Sequence, residues 1–379
     1  MKNIIIFMLS IFIFIGCSVK QEIIVKEKES RIDLKNNDEL KVKEKKVIVK
    51  KKDALLKSSS NGLQEIQKLF ENENKAYKVA IVYPSKIVGK YAKKSVDTVM
   101  GYFLYRNLNV NIKTFDSINL DEDNVTRVFN EMAENDFDAI IALYPKTAMG
   151  IISKINKISS KKIYFPLVLK EEISLENDSF IYGAISYKEQ VLLLQELSND
   201  VNITFYENSF IGNKLNKIYN DNVLSIMNTK VIKRNQNNFK RIVKDKKLNS
   251  STLMLNTPII KTSIILSQLR VHEIVPSVIL STQLNYNPLI ISLTQFEDRL
   301  NFITANSIEN VDVKLEDTLS LLDIDIRYNW VNYSILVGIN YLFDENVSNI
   351  INNLVVNNEV IYTPKFYRAT VYGYELLEK

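Results

Sequence analysis

The 379-residue sequence carries 49 Lys/Arg and 44 Asp/Glu, a net charge of +5, with one histidine and one cysteine. A single histidine excludes a zinc site built on several imidazoles, and nine glycines with seven prolines exclude a collagen-like or loop-rich chain. The surplus charge lies in residues 18–60, where 13 Lys/Arg face 8 Asp/Glu; residues 61–379 sum to −1, so no basic footprint for nucleic acid marks the part expected to fold.

In chain order, Lys2, an apolar run from Ile4 to Ile15 and the small residue Gly16 give the charge and hydropathy order of a secretory signal. About a dozen apolar residues are too few for a membrane-spanning helix, which needs roughly 20. The following stretch, "FIFIGCSVK", resembles a bacterial lipobox, although Phe14 stands where that pattern usually has Leu. The resemblance implies that residues 1–16 are removed, that Cys17 is lipidated and becomes the first mature residue, and that Ser18 directs the chain to the outer membrane, facing the periplasm. The alternative is an ordinary signal cleaved nearby, leaving a free exported thiol. Residues 17–61, with "KVKEKKVIVKKKDALLKSSS", are too charged and too poor in aromatics to bury a core and read as a tether. As a coil it averages roughly 35–40 Å end to end. The competing reading is a polybasic contact with anionic headgroups, worth about 1 kcal/mol per Lys/Arg.

Residues 62–76, with "GLQEIQKLF", read as a short amphipathic helix. From there short apolar runs alternate with segments of helical periodicity: "KVAIVYP", then "SKIVGKYAKKSVDTVMGYFLYRN", "NVNIKTFDS", "DEDNVTRVFNEMAEND", "DAIIALYP", "KTAMGIISKINKIS" and "KIYFPLVL". The order recurs between about residues 179 and 274, from "SFIYGA" to "IIKTSIILSQLRVHEI". Such alternation specifies an α/β fold in which each parallel sheet is covered by helices on both faces. Two similar halves imply two lobes with a groove between them, a preferred place for pockets. The expected lobes are residues 77–183 with 284–343, and 184–283 with 344–379. In "RYNWVNYSILVGINYLF", Trp330, Tyr333 and Tyr341 follow helical spacing and read as core.

This order resembles the type I periplasmic-binding-protein fold, in which a strand like "KVAIVYP" leads into a long helix ending like "MGYFLY". It is most similar to the C-terminal domain of the lipoprotein activators of class A penicillin-binding proteins. The similarity lies in "LRVHEIVPSVILSTQLNYN", "FEDRLNFITANS", the aromatic helix above and a closing hairpin "NEVIYTPKFYRATVYGYEL". The resemblance spans about residues 77–379 and implies a two-lobed fold without a catalytic signature.

No Walker A loop or G-x-G-x-x-G turn is present, and "VHEIV" lacks the second histidine of a zincin. His272 shares a helix face with Ile265 and Leu269 and reads as a packed or lobe-interface residue. Asp121 and Asp123 fall in the first turn of a helix, where the dipole accounts for them. The sequence therefore points to a non-enzymatic protein with no catalytic residue, metal or cofactor. Ligands of open α/β sheets sit beyond the carboxyl ends of strands, at helix N-termini. Those positions give Tyr83, Ser85, Lys86, Tyr144, Lys146 and Thr147 in the first half, and Tyr206, Glu207, Asn208, Asn256 and Thr257 in the second. Ser85 and Thr147 read as helix caps whose neighbouring amides could receive a carboxylate, with Tyr83 and Tyr144 walling an aromatic slot. The alternative is that all of them cap helices and line a closed lobe interface. The expected role is contact with another envelope component, a peptidoglycan synthase if the resemblance extends to function. The alternative is a solute-binding lipoprotein that delivers an amino acid or similar small polar ligand to the permease of an ABC transporter.

Overall fold

The computed structural model describes residues 76–174, 177–343 and 350–378. The leader, Cys17, the tether and the helix expected from residue 62 onward lie outside the described residues.

The first half begins with β1 (Tyr77–Tyr83), α1 (Ser85–Tyr105), β2 (Val110–Asp116), α2 (Glu122–Ala133) and β3 (Ala139–Ala142). The helix expected over 146–159 is broken into a 3-10 turn, the four-residue α3 (Met149–Ile152) and a second 3-10 turn. Gly150 and the β-branched isoleucines around it are weak helix formers. After β4 (Ile163–Phe165) and β5 (Phe180–Tyr182), the second half repeats the order. It runs through α4 (Tyr187–Gln195), β6 (Asn202–Glu207), α5 (Phe210–Asn222), β7 (Ile226–Ile232), α6 (Lys240–Val243), β8 (Thr252–Asn256), α7 (Ile259–Val271) and β9 (Val278–Ser281). The remainder comprises α8 (Leu289–Leu293), β10 (Phe302–Asn306), α9 (Val313–Leu321), α10 (Trp330–Phe343) and the short strands β11 (Val355–Val356), β12 (Glu359–Val360), β13 (Lys365–Ala369) and β14 (Tyr374–Leu376).

Two seven-stranded sheets result, with orders β11-β12-β5-β4-β3-β1-β2 and β14-β13-β10-β9-β8-β6-β7. Strands β1–β5 and β6–β10 pair in parallel within their own sheets; the antiparallel pairs are β11 with β12, β10 with β13 and β13 with β14. The pleat explains the continuous apolar run in "KVAIVY": Val79 and Ile81 enter the core under α1, α9 and α10, while Ala80 and Val82 enter the core under α2. The second sheet is likewise covered on both faces.

Sheet membership departs from the expected division of residues after 283. Phe302–Asn306 pairs with β9 and β13 in the second sheet, not the first. Val355–Val360 joins the first sheet through Tyr182, and the segment expected as one closing hairpin is therefore split between the sheets. The pattern of a two-residue strand carries no mark of the sheet it joins, and Pro364 interrupts the segment where it changes lobes.

The chain passes between lobes near residues 183–187, 307–312 and 361–364, and buried hydrogen bonds tie the first and third passages together. Gly183 O accepts from Ser334 Oγ (2.7 Å) and from Tyr362 Oη (3.0 Å), and Tyr164 Oη lies 2.9 Å from Ser334 Oγ. A Cβ on Gly183 or on Gly338 would collide with the Tyr164 side chain, so two glycines make the space that this tyrosine fills. In the second lobe, Gln190 Nε2 donates to Gln283 Oε1 (2.6 Å) and Ser307 Oγ (3.0 Å), holding the second passage against α4.

Candidate functional site

Both sheets share the order 2-1-3-4-5 across their parallel strands, which puts the topological switch point beyond β1 and β3 in one lobe and beyond β6 and β8 in the other. The residues expected from the sequence stand at these points, and most are engaged by the protein itself. The residue before α1 is Pro84, so Ser85 is the first helical residue and does not cap. Its N–H donates to Asp116 Oδ1 (3.0 Å), and the Lys86 N–H donates to the Ile118 carbonyl (2.8 Å), leaving these α1 amides bonded within the lobe. Asp116 Oδ1 also accepts from the Ile118 N–H (2.6 Å). Although burial alone would raise the carboxyl, the hydrogen bonds from Ser85 and Ile118 hold it below its ordinary value.

Tyr144 is fully buried against Phe129 and donates to Ser117 Oγ (2.7 Å), and burial pushes its hydroxyl up to about 12. Tyr83 is half-buried against the other core, so the two tyrosines form no slot. Thr147 lies exposed inside the 3-10 turn rather than at its start. Lys146 is exposed and lies 3.4 Å from Glu172 Oε1.

In the second lobe, Tyr206 is half-buried, and Glu207 is buried in an ion pair with Lys261. The Lys261 ammonium also donates to the carbonyls of Lys233 (2.7 Å) and Arg234 (2.8 Å). Asn208 is exposed and accepts from Asn213 Nδ2 (3.1 Å). Thr257 is buried and shares a hydrogen bond with Thr262 (2.7 Å), whereas the fully buried Asn256 has neither side-chain amide atom bonded to a protein group.

The open space lies beside these points, between the lobes. Two adjoining cavities of about 580 and 700 Å3 share Leu169, Glu172, Tyr187, Phe210 and Lys214. One wall comes from α1 (Lys90, Tyr91) and the loop after β4 (Leu167, Leu169, Glu172), and the other from the start of α5 (Phe210, Ile211, Lys214) with Arg234. Ala184–Tyr187 of the first passage, Leu284 and Trp330 complete it. Ser209 positions α5 by accepting from the Gly212 N–H (3.2 Å). Position 212 has room only for glycine, because a Cβ there would strike the Glu207 carbonyl. This leaves Phe210, the first residue of the helix, 83% exposed in the cleft.

Two lysines of the second lobe reach adjacent glutamates of the first: Lys214 Nζ lies 3.4 Å from Glu172 and Lys188 Nζ 3.7 Å from Glu171. Burial, and then the Tyr91 hydroxyl, push the Tyr187 phenol up. Beside the cleft, a cavity of about 100 Å3 collects Glu171, Glu189 and Glu359; burial, followed by those two neighbouring carboxylates, raises Glu189.

Of the eleven sequence candidates, Lys146 alone is among the cleft-lining residues. The candidates expected at the end of β6 extend only to Asn208, two residues short of Phe210, and of the aromatics expected in the core Tyr333 is fully buried, whereas Trp330 is half-buried and lines the cleft. The available signal was "NSFIG", a capping serine followed by an aromatic residue that no helical stripe requires. His272 stands at the C-terminal end of α7, half-exposed, and is not a lobe-interface residue. Partial desolvation, then Lys244 and Lys240, lower its imidazole. Among the described residues no group of acids and histidine forms a metal site, and no helix is long and apolar enough to cross a membrane.

The fold is that of the type I periplasmic binding proteins, two mostly parallel seven-stranded sheets with helices on both faces. No family model matches the sequence, and no curated protein matches it. Among solved structures, a putative branched-chain amino acid ABC transporter protein from Rhodospirillum rubrum superposes with a TM-score of 0.60 at 10% identity, covering 80% of this chain and all of that one. LivJ from Streptococcus pneumoniae, solved with isoleucine, gives 0.54 at 9% identity with coverage of 80% and 100%. Haemophilus influenzae LpoA gives 0.55 at 8% identity, covering 84% of this chain and 65% of LpoA. At these identities the likeness is one of fold.

Proposed function

We propose that this chain is a non-enzymatic binding protein of the bacterial envelope, held to the outer membrane by a lipid on Cys17, whose two lobes close on a small ligand. The observation that carries this reading is the cleft, walled by residues of both lobes and bridged at its mouth by Lys214–Glu172 and Lys188–Glu171. Ion pairs that keep contact with solvent, as these do in part, contribute about 0–1 kcal/mol each, which is a latch that ligand binding can bias. A ligand that prefers the closed arrangement raises the melting temperature by mass action. The test is a thermal-shift panel of amino acids, small organic acids, peptides and muropeptides on the full chain, with a saturable rise expected for at least one class. Delivery to an ABC permease is the consequence drawn from the R. rubrum and S. pneumoniae structures. Replacement of Cys17 by Ser tests the anchor, because a variant that still pellets with membranes contradicts it.

A second reading, stimulation of a peptidoglycan synthase, is favoured by the likeness to LpoA over 84% of this chain. It is supported by large apolar side chains exposed on α1 and α9, Met100, Leu104 and Leu321, in a position to meet a protein partner. Under this reading the full chain raises glycan polymerisation or cross-linking by a class A synthase, and no stimulation with no co-purifying synthase contradicts it.

A further inference from the structure

The charge of the cleft differs from that of the protein around it. Residues 61–379 sum to −1, yet the two adjoining cavities are lined by six cations, Lys90, Lys146, Lys188, Lys214, Lys217 and Arg234, against three carboxylates, Glu171, Glu172 and Asp221. Each carboxylate is already paired: Glu171 with Lys188, Glu172 with both Lys146 and Lys214, and Asp221 with Lys217 at 4.0 Å. Lys90 and Arg234, from opposite lobes, have no carboxylate partner among the described residues. Lys90 Nζ lies 4.6 Å from the centre of the Tyr91 ring, and Arg234 Nε donates only to the Asn208 carbonyl (3.2 Å). Between these cations the surface is apolar, formed by Leu167, Leu169, Phe210, Leu284 and Trp330. A concave site with a net excess of one sign of charge concentrates ligands of the other sign.

Building on the cleft-binding reading above, we propose that the ligand is an amphiphilic organic anion: a carboxylate on an aromatic or alkyl body, without an ammonium group. Lys90 and Arg234 take the carboxylate from the two lobes, and the body lies against Phe210 and Trp330. A free amino acid fits less well, because the three carboxylates that line the two cavities are already paired with lysines, one of which its ammonium would have to displace. Like-charge juxtaposition of this kind rejects ligands as effectively as contacts select them. At the α1 N-terminus the Ser85 N–H is taken by Asp116 and the Lys86 N–H by the Ile118 carbonyl, so a ligand carboxylate is left to Lys90 and Arg234 rather than to these amides.

Trp330 is the sole tryptophan of the sequence and lines the cleft, so its emission reports occupancy directly. The test titrates the full chain with three probes that share one body: 3-phenylpropionate, L-phenylalanine and phenethylamine. The expected result is a saturable change with 3-phenylpropionate, at least tenfold weaker binding of phenylalanine and none of the amine, with affinity falling as salt rises. Lys90→Gln and Arg234→Gln are each expected to weaken 3-phenylpropionate about tenfold with melting temperature unchanged. Equal or tighter binding of phenylalanine or phenethylamine overturns the assigned charge class while leaving the cleft as a binding site. No saturable change with any of the three overturns the inference, and the wider thermal-shift panel then decides the binding reading separately.

Discussion

Lys214 Nζ and Glu172 Oε1 lie 3.4 Å apart across the cleft, and the same carboxylate oxygen stands 3.4 Å from Lys146 Nζ of its own lobe. One glutamate of the first lobe thus answers a lysine from each side. Replacement by glutamine removes the attraction at both and should loosen the closed arrangement. The expected outcome for Glu172→Gln is an unfolding free energy lowered by about 1 kcal/mol, the upper end for ion pairs in contact with solvent. A larger effect is expected in lobe separation, read as faster amide exchange in Ala184–Tyr187. Unchanged exchange would show that the pair does not restrain the lobes.

The passage between lobes rests on Tyr164 packed between Gly183 and Gly338. Tyr164 is fully buried and hydrogen-bonded to Ser334, so it has no room to retreat. Gly183→Ala is expected to destabilise by about 1–3 kcal/mol, the usual range for overpacking. Urea unfolding checks this; a midpoint equal to the parent's would mean that the ring can move.

Glu207 and Lys261 form a buried ion pair in which the ammonium also serves two carbonyls of the loop after β7. Lys261→Met leaves a buried carboxylate and the Arg234 carbonyl without their donor, whereas the Lys233 carbonyl keeps the Gln236 N–H (3.1 Å). The expected loss is about 3–5 kcal/mol. The double variant with Glu207→Gln is expected to be less destabilised than the sum of the single ones, which a double-mutant cycle by urea unfolding measures.

Asp116 sets a pH dependence. Its folded-state carboxyl titrates below its ordinary value of 3.8 because it accepts from Ser85 and Ile118. A depressed acid contributes its stability in full above the unfolded-state value and loses it as pH falls through the folded one. Asp116→Asn should therefore lower stability at neutral pH and flatten the fall below about pH 4. Parallel acid-unfolding curves for the two proteins would contradict this.

The fold was legible because each crossover announces itself. An apolar run such as "KVAIVY" needs cover on both faces, and the helical spacing of Val88, Ala92, Val99 and Phe103 supplies part of it. The assignment of Phe302–Asn306 and Val355–Val360 to sheets was not legible, because it depends on partners distant in sequence. The eleven candidates stand at or just beyond strand ends, but the sequence could not show that Asp116, 31 residues from Ser85, closes the α1 N-terminus. Nor could it show that Lys261, 54 residues from Glu207, neutralises it. Trp330 has the spacing of a core residue, and only the neighbouring lobe decides that one of its faces meets the cleft.

Closure of the lobes on a ligand in the cleft is located directly by hydrogen exchange. Exchange of the full chain is compared with and without the panel compound that raises the melting temperature most. New protection is expected in residues 167–173, 184–188 and 208–214. Protection confined to other surfaces, or a panel in which no compound raises the melting temperature, contradicts such closure.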